Sequence, residues 1–274
     1  MRIAVFLGGL GNQIFEYAFI KTFIKKTFPQ EKIYGVYNKK KLSEHYGLEI
    51  NRWFDVELPK SQWWVNILTA ILYLYKKFRP NTSLLDLNQR DCLHPNAILY
   101  YPSKFNIKYI PEDPDWIKWK VEDNKLSEKN RFILQKIKDS YSVFVHVRRG
   151  DYLSPAYKEL FEGCCSIDYY KKAIQEVRKE HPNVSFFCFS DDIPWAKENL
   201  PLSDANFIDW NTGNDSPLDM YLMSFCKGAI IANSTFSYWG AKLSQKKEFV
   251  YYPARWINSP EGSFDIFPKD WIAF

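Results

Sequence analysis

The chain opens on an unbroken apolar run, residues 2–7 (RIAVFL), which reads as a buried strand. Gly8-Gly9-Leu10-Gly11-Asn12 follow. Then Ile14, Phe15, Ala18, Phe19, Phe23 and Ile24 recur at helical spacing until Pro29 stops them. Strand, glycine turn and helix form the start of an α/β unit. From about 35 to 135 the periodicity is poor and prolines interrupt it, so helices and long loops are expected to complete a first domain over 1–138. After 140 the pattern turns regular. Strand-like runs stand at 142–147, 184–190, 205–209, 228–232 and 248–252, separated by helical patterns at 166–180, 194–200, 217–226 and 235–245. Ser166 is the expected N-cap of the first of these helices, with Tyr169, Ala173, Ile174 and Val177 as its buried stripe. Alternating β and α predicts a parallel, doubly wound sheet in a second domain, 139–274.

One apolar segment stands apart. Trp63-Trp64-Val65 and Ile67 to Tyr75 are closed by Lys76, Lys77 and Arg79. The segment is shorter than the ~18–20 apolar residues of a spanning helix. It reads first as a helix buried against the rest of the protein. The second reading is peripheral membrane contact through 63–79, with rings and basic residues at the edges.

At 46% hydrophobic and 25% charged the chain can fill a core, which excludes a disordered tail or a fibre. Aromatic residues reach 18%, suited to core packing and equally to sugar or base contacts. A net charge of +5 fits a small anion or a membrane surface and is too weak to imply nucleic acid. The five cysteines include no CxxC, and the four histidines have no metal-ligand spacing. The thiols read as reduced. The N-terminus has no signal-peptide pattern. A cytoplasmic protein is expected, at most peripheral at the inner face of a membrane.

Ligands of doubly wound sheets bind beyond the carboxyl ends of the strands. Three polar clusters fall there: His146 to Tyr152, Ser190-Asp191-Asp192, and Asn233 to Ser237. Strand alternation puts His146 and Arg148 on one side and Arg149 on the other, where Asp151 is a candidate partner. The planar fork of Arg suits a phosphate. Asn233, Ser234 and Thr235 before a helix can seat an anion and can equally act as an N-cap. Asp191 and Asp192 can hold ribose hydroxyls or cap the next helix. The single D-x-D, Asp113-Pro114-Asp115, is flanked by proline and follows no strand. No metal site is expected. The pattern G-G-x-G-N is neither a dinucleotide fingerprint nor a Walker A loop.

Four blocks together resemble the α-1,2-fucosyltransferase family, glycosyltransferase family 11: GGLGNQIFEYAF at 8–19, HVRRGDY at 146–152, FSDD at 189–192 and DMYLMSFCKGAIIANSTFSYWGA at 219–241. The resemblance implies a GT-B-like α/β fold, two Rossmann-type domains with parallel doubly wound sheets facing a cleft. It implies a GDP-sugar site on the C-terminal domain and an acceptor site mainly on the N-terminal one. By this analogy Arg148 binds the β-phosphate, His146 and Asp219 contact guanine or ribose, and Ser234, Thr235 and Phe236 cradle the diphosphate. Arg149, Asp191 and Asn233 join the donor set. Gly9, Gly11 and Asn12 reach the donor from the other domain, and Asn12 and Asp151 join Arg148 in the catalytic set. Glu16, Lys227-Gly228-Ala229 and Tyr238 depart from the family's usual residues at positions that touch acceptor fit or packing.

The implied reaction is inverting transfer of L-fucose from GDP-β-L-fucose to the 2-hydroxyl of a terminal galactoside, with no metal and no cofactor beyond the donor. The acceptor would be a galactose-containing oligosaccharide or a lipid-linked glycan. The base is Asp151, Glu16 or absent. The rivals are another nucleotide-sugar transferase, a Rossmann dehydrogenase and a non-catalytic carbohydrate-binding protein.

Overall fold

In the computed structural model, β1 (Arg2–Phe6) is buried along its whole length. It lies between β2 (Ile33–Tyr37) and β4 (Leu99–Tyr100), with β3 (Leu85–Asp86) beyond β4, in a parallel sheet of order β2-β1-β4-β3. The structure describes all residues except 102–103, 244–246 and 260–262. Alternation along β1 sorts its side chains. Ala4 and Phe6 pack with Phe19, Ile20 and Ile24 of the first helix, α1 (Leu10–Phe19), and of its wider-wound continuation Ile20–Ile24. Ile3 and Val5 pack on the other face with Val65 and Leu72 of α2 (Trp63–Phe78). This unit comprises Met1–Lys120 and Phe264–Ile266.

The second unit, Val121–Ser263 with Phe267–Phe274, holds the regular part of the sequence. Its strands are β5 (Tyr141–Val147), β6 (Val184–Ser190), β7 (Asn206–Ile208), β8 (Gly228–Ile230), β9 (Phe249–Tyr252) and β10 (Ile272–Ala273). They form one parallel sheet in the order β10-β9-β8-β5-β6-β7. The longer helices are α3 (Glu128–Asp139), α4 (Ile167–Glu180), α5 (Ile193–Asn199), α6 (Pro217–Phe225) and α7 (Thr235–Lys242). Val143, Val145 and Val147 share one core with Tyr169, Tyr170, Ala173, Ile174 and Val177 of α4. Ser166 caps α4 as expected, its Oγ accepting from the Tyr169 amide at 3.1 Å. The expected helix over 235–245 ends at Lys242, and its positions 244–245 lie outside the described residues.

Two expectations are revised. The units divide between Lys120 and Val121 rather than at 138/139. Helix α3 belongs with the second unit, because Asn130 Nδ2 donates to Asn211 Oδ1 (2.8 Å) and Trp210 Nε1 donates to Asn130 Oδ1 (2.7 Å). Residues 264–266 return to the first unit, where the Ile107 amide donates to the Asp265 carbonyl at 2.6 Å. Helix α2 is buried on one face only. Val65, Thr69 and Leu72 are covered, while Trp63, Ile67, Ile71, Leu74 and Phe78 are exposed. Among the described residues no helix is long and apolar enough to cross a membrane.

Candidate active site

The chain runs from β5 to β6 and β7 on one side, then crosses to β8, β9 and β10 on the other. The order therefore reverses between β5 and β8, where parallel sheets bind their ligands. The loops after those two strands meet there. Tyr152 Oη donates to the Asn233 carbonyl at 2.9 Å. The rings of His146 and Phe236 lie 5.9 Å apart, tilted by 33°. The Arg148 guanidinium stands 5.8 Å from the Tyr152 ring centre.

Arg148 is held by two carboxylates. Its Nε and Nη2 donate to Asp151 Oδ1 at 2.9 and 2.8 Å, and its Nη1 lies 3.1 Å from Asp191 Oδ2. Burial opposes its charge, but Asp191 and Asp151 outweigh burial and hold its pKa above the ordinary value. Asp191 also accepts from the amides of Arg149 (2.9 Å) and Gly150 (3.1 Å), so it clamps the turn that presents Arg148. That close approach needs glycine. A Cβ on Gly150 would stand 2.8 Å from Asp191 Oδ2. The helix cap in this pair is Asp192, which accepts from the Trp195 amide at 3.1 Å. The partner of Arg149 is Asp192 (3.0 Å), not Asp151, and its guanidinium covers the Trp195 ring at 4.1 Å. Asp151 is taken by Arg148 because their spacing folds the 148–151 turn back on itself.

His146 is buried, and its Nδ1 has no hydrogen-bond partner among the described residues. Burial, assisted by the charge of Arg148, lowers its pKa to about 3. The imidazole is therefore neutral near pH 7. Asp219 lies in the first turn of α6 and accepts from Asn211 Nδ2 at 2.7 Å. Burial raises its pKa to about 8, with the Asn211 bond opposing. Asn211 is fixed in turn by Asn130, and Asn130 by Trp210. Sequence reasoning missed this supporting chain, because isolated polar residues in an aperiodic stretch carry no signal. Asn233 ties its loop to two neighbouring segments, its Nδ2 donating to the Trp256 carbonyl at 3.0 Å and its Oδ1 lying 3.3 Å from Cys165 Sγ. Ser234 caps α7, accepting from the Phe236 amide at 3.3 Å. Thr235 and Phe236 are half-buried at the start of that helix, whose amide end carries positive partial charge.

Gly9, Gly11 and Asn12 belong to the first unit and form the amino end of α1. Gly8 has φ +74°, and a Cβ there would lie 2.6 Å from Asn12 Nδ2. The Leu10 amide is already satisfied by the buried carboxylate of Glu49 at 3.1 Å. Gln13 ties the same turn to the Glu49 and Ile50 amides. The His45 imidazole stands over Gly9, 3.4 Å from where a Cβ would be. Glu49 and His45 lie in the aperiodic stretch and were not foreseen. Glu16, a candidate base, is fully buried. Asp113 caps its own turn, accepting from the Asp115 amide at 2.9 Å. Among the described residues no three His, Cys, Asp or Glu side chains cluster as metal ligands.

The model of glycosyl transferase family 11 matches residues 82–274. An alpha-1,2-colitosyltransferase of Escherichia coli is 39% identical over 140 residues, 50% of this chain and 48% of that one. The O-antigen biosynthesis glycosyltransferase WbnK of Escherichia coli is 37% identical over 131 residues, 47% of this chain and 38% of that one. The chain thus spans less than half the length of either relative. Among solved structures, the NodZ alpha-1,6-fucosyltransferase soaked with GDP-fucose superposes over 88% of this chain and 91% of that one, with a TM-score of 0.50 and 14% identity. The likeness is one of fold. The chain has the α/β fold of the GT-B type, built on two parallel sheets.

Proposed function

The chain belongs to glycosyl transferase family 11, and from that premise we propose that it transfers L-fucose from GDP-β-L-fucose to the 2-hydroxyl of a terminal galactoside, inverting the anomeric centre without a metal ion. The observation that carries this reading is Arg148, fixed by Asp151 and Asp191 at the reversal point of the sheet beside Tyr152.

Breaking the sugar–phosphate bond builds negative charge on GDP and oxocarbenium character on the sugar. In this reading the Arg148 fork and the amide end of α7, from Ser234 to Phe236, receive the diphosphate. The amide end of α7 is fixed by the fold, and Arg148 exchanges its Asp151 bonds for phosphate when the donor binds, so both donors are in place as the charge develops. The neutral, unpartnered Nδ1 of His146 and the protonated carboxyl of Asp219 bind the nucleoside. Asp191 and Asp192 support the loops, and Arg149 acts by fixing Asp192. Asp151 is the proposed base: when phosphate takes the Arg148 fork, its carboxylate becomes available to the acceptor hydroxyl. Asn12, Gly9 and Gly11 of the first unit join the donor set in this reading on the family resemblance of their motif.

Incubation of the protein with GDP-fucose and lactose in EDTA tests this. The expected product is a fucosylated trisaccharide, identified by mass spectrometry and assigned as α-1,2 by NMR. Turnover that stops in EDTA and returns with Mg²⁺ would overturn the metal-independent mechanism. No product, no hydrolysis of GDP-fucose and no GDP binding would overturn the donor assignment. A second reading keeps the reaction and changes the donor sugar to colitose. It is favoured by the 39% identity to a protein named a colitosyltransferase. Competition between the two GDP-sugars for one acceptor separates them.

A further inference from the structure

Helix α2 is apolar on two opposite faces. One face, with Val65 and Leu72, packs on the sheet of the first unit, and Trp64 meets Tyr34 with ring centres 5.0 Å apart. On the other face Trp63, Ile67, Ile71, Leu74 and Phe78 form a continuous exposed stripe. At about 100° per residue these five fall within an arc of roughly 80° opposite the buried face. The two ends of the stripe are the most open, Trp63 at 74% and Phe78 at 76% exposure. Tyr73 and Tyr75 flank it on either side and are exposed as well. A helix apolar on both faces needs an apolar phase against the second.

The surrounding charge identifies that phase. No Asp or Glu occurs between Glu57 and Asp86, while Lys60, Lys76, Lys77 and Arg79 all fall in the interval. Lys60, Lys77 and Arg79 are exposed. A second copy of the chain meeting this stripe would set like charges against each other, with no acid on the helix to answer them. An anionic lipid surface answers both features, with rings at headgroup level and basic side chains toward phosphate. The helix has 16 residues, about 24 Å at 1.5 Å per residue. That is short of a hydrocarbon core of about 30 Å, so it lies in the surface rather than across it.

We propose that α2 docks the protein on anionic lipid bilayers, with the stripe from Trp63 to Phe78 immersed at the headgroup–acyl boundary and Lys60, Lys77 and Arg79 facing lipid phosphate. The test is flotation of the full chain with phosphatidylcholine vesicles containing about one quarter phosphatidylglycerol. The protein is expected to float with these vesicles and far less with pure phosphatidylcholine. I67E/L74E, on the exposed face and away from Val65 and Leu72, is expected to abolish flotation with an unchanged circular dichroism spectrum. K77Q/R79Q is expected to weaken it about fivefold per charge removed. Brominated lipid is expected to quench the fluorescence of the wild type more than that of Trp63→Phe. Three outcomes overturn the proposal: equal binding to neutral vesicles, flotation of I67E/L74E like the wild type, or a lipid-free dimer that I67E/L74E dissolves by sedimentation velocity.

Discussion

Arg148 is held at the site by Asp151 and Asp191 before any phosphate arrives, and its fork passes from Asp151 to phosphate when the donor binds. Arg148→Ala is therefore expected to lower kcat with GDP-fucose by about 10²–10³, the value of one oriented donor at a developing anion. Arg148→Lys should rescue little, since a point charge cannot reproduce the fork. Steady-state kinetics on variants of unchanged melting temperature check this, and near wild-type turnover in Arg148→Ala would remove the residue from the mechanism. A second residue-scale outcome concerns Asp219, whose pKa burial raises from 3.8 to about 8. Between those values the folded chain holds a proton that the unfolded chain has released. The contribution of this group to stability therefore falls as pH rises, by about 1.4 kcal/mol per unit. Asp219→Asn should flatten that slope in urea unfolding series at about pH 5 and pH 7.5; an unchanged slope would mean that the carboxyl is ionised. Strand alternation put His146 and Arg148 on one side at the end of β5, and their roles rested on the resemblance. The partners of Arg149 and Asp151 were not legible, because they depend on how the 148–151 turn folds and on the strand beside it. The chain Asn130–Asn211–Asp219 is equally silent in sequence, being polar residues joined from three separate segments.

At the scale of elements, the tips of β5 and β6 act as one device. Their parallel register sets Val147 beside Ser190, which brings Asp191 under the amides of Arg149 and Gly150. Gly150→Ala inserts a methyl 2.8 Å from Asp191 Oδ2, an overpacking of about 1–3 kcal/mol. It should appear as a GDP dissociation constant raised about 5- to 150-fold by calorimetry. A dissociation constant equal to wild type would show that the clamp does not position Arg148. Strands β5 to β9 and helices α4 to α7 of the second unit were legible because their apolar positions recur with the period of a strand or a helix, whereas α3 lies largely in the stretch of poor periodicity. β3, β4 and β10 have two residues each, too few to display any period. The exposed stripe of α2 reads in sequence as core, since composition does not tell which apolar face finds a neighbour.

At the scale of the whole molecule, alternation of β and α foretold the parallel sheet of the second unit, the resemblance alone implied that of the first, and the reversal of strand order between β5 and β8 marks where a ligand would sit. Alternation could not place the division of the chain, because α3 precedes the first strand of its own unit and residues 264–266 pair back with the other. Such a chain need not melt in one step, and ligand linkage then reports which unit binds. The proposed diphosphate ligands, Arg148 and Ser234 to Phe236, all lie in Val121–Ser263. GDP at about 100 times its dissociation constant adds about 2.7 kcal/mol to whatever unit it occupies. For a unit of this size that corresponds to a rise of roughly 5–10 °C in melting temperature. Scanning calorimetry with and without GDP is expected to show that rise in EDTA as well as with Mg²⁺, and to lose most of it in Arg148→Ala. A transition that GDP leaves unmoved at saturating concentration would mean that the reversal point of this sheet is not a nucleotide site. A rise seen only with Mg²⁺ would place a cation between the diphosphate and the protein, and with it a different mechanism of leaving-group departure.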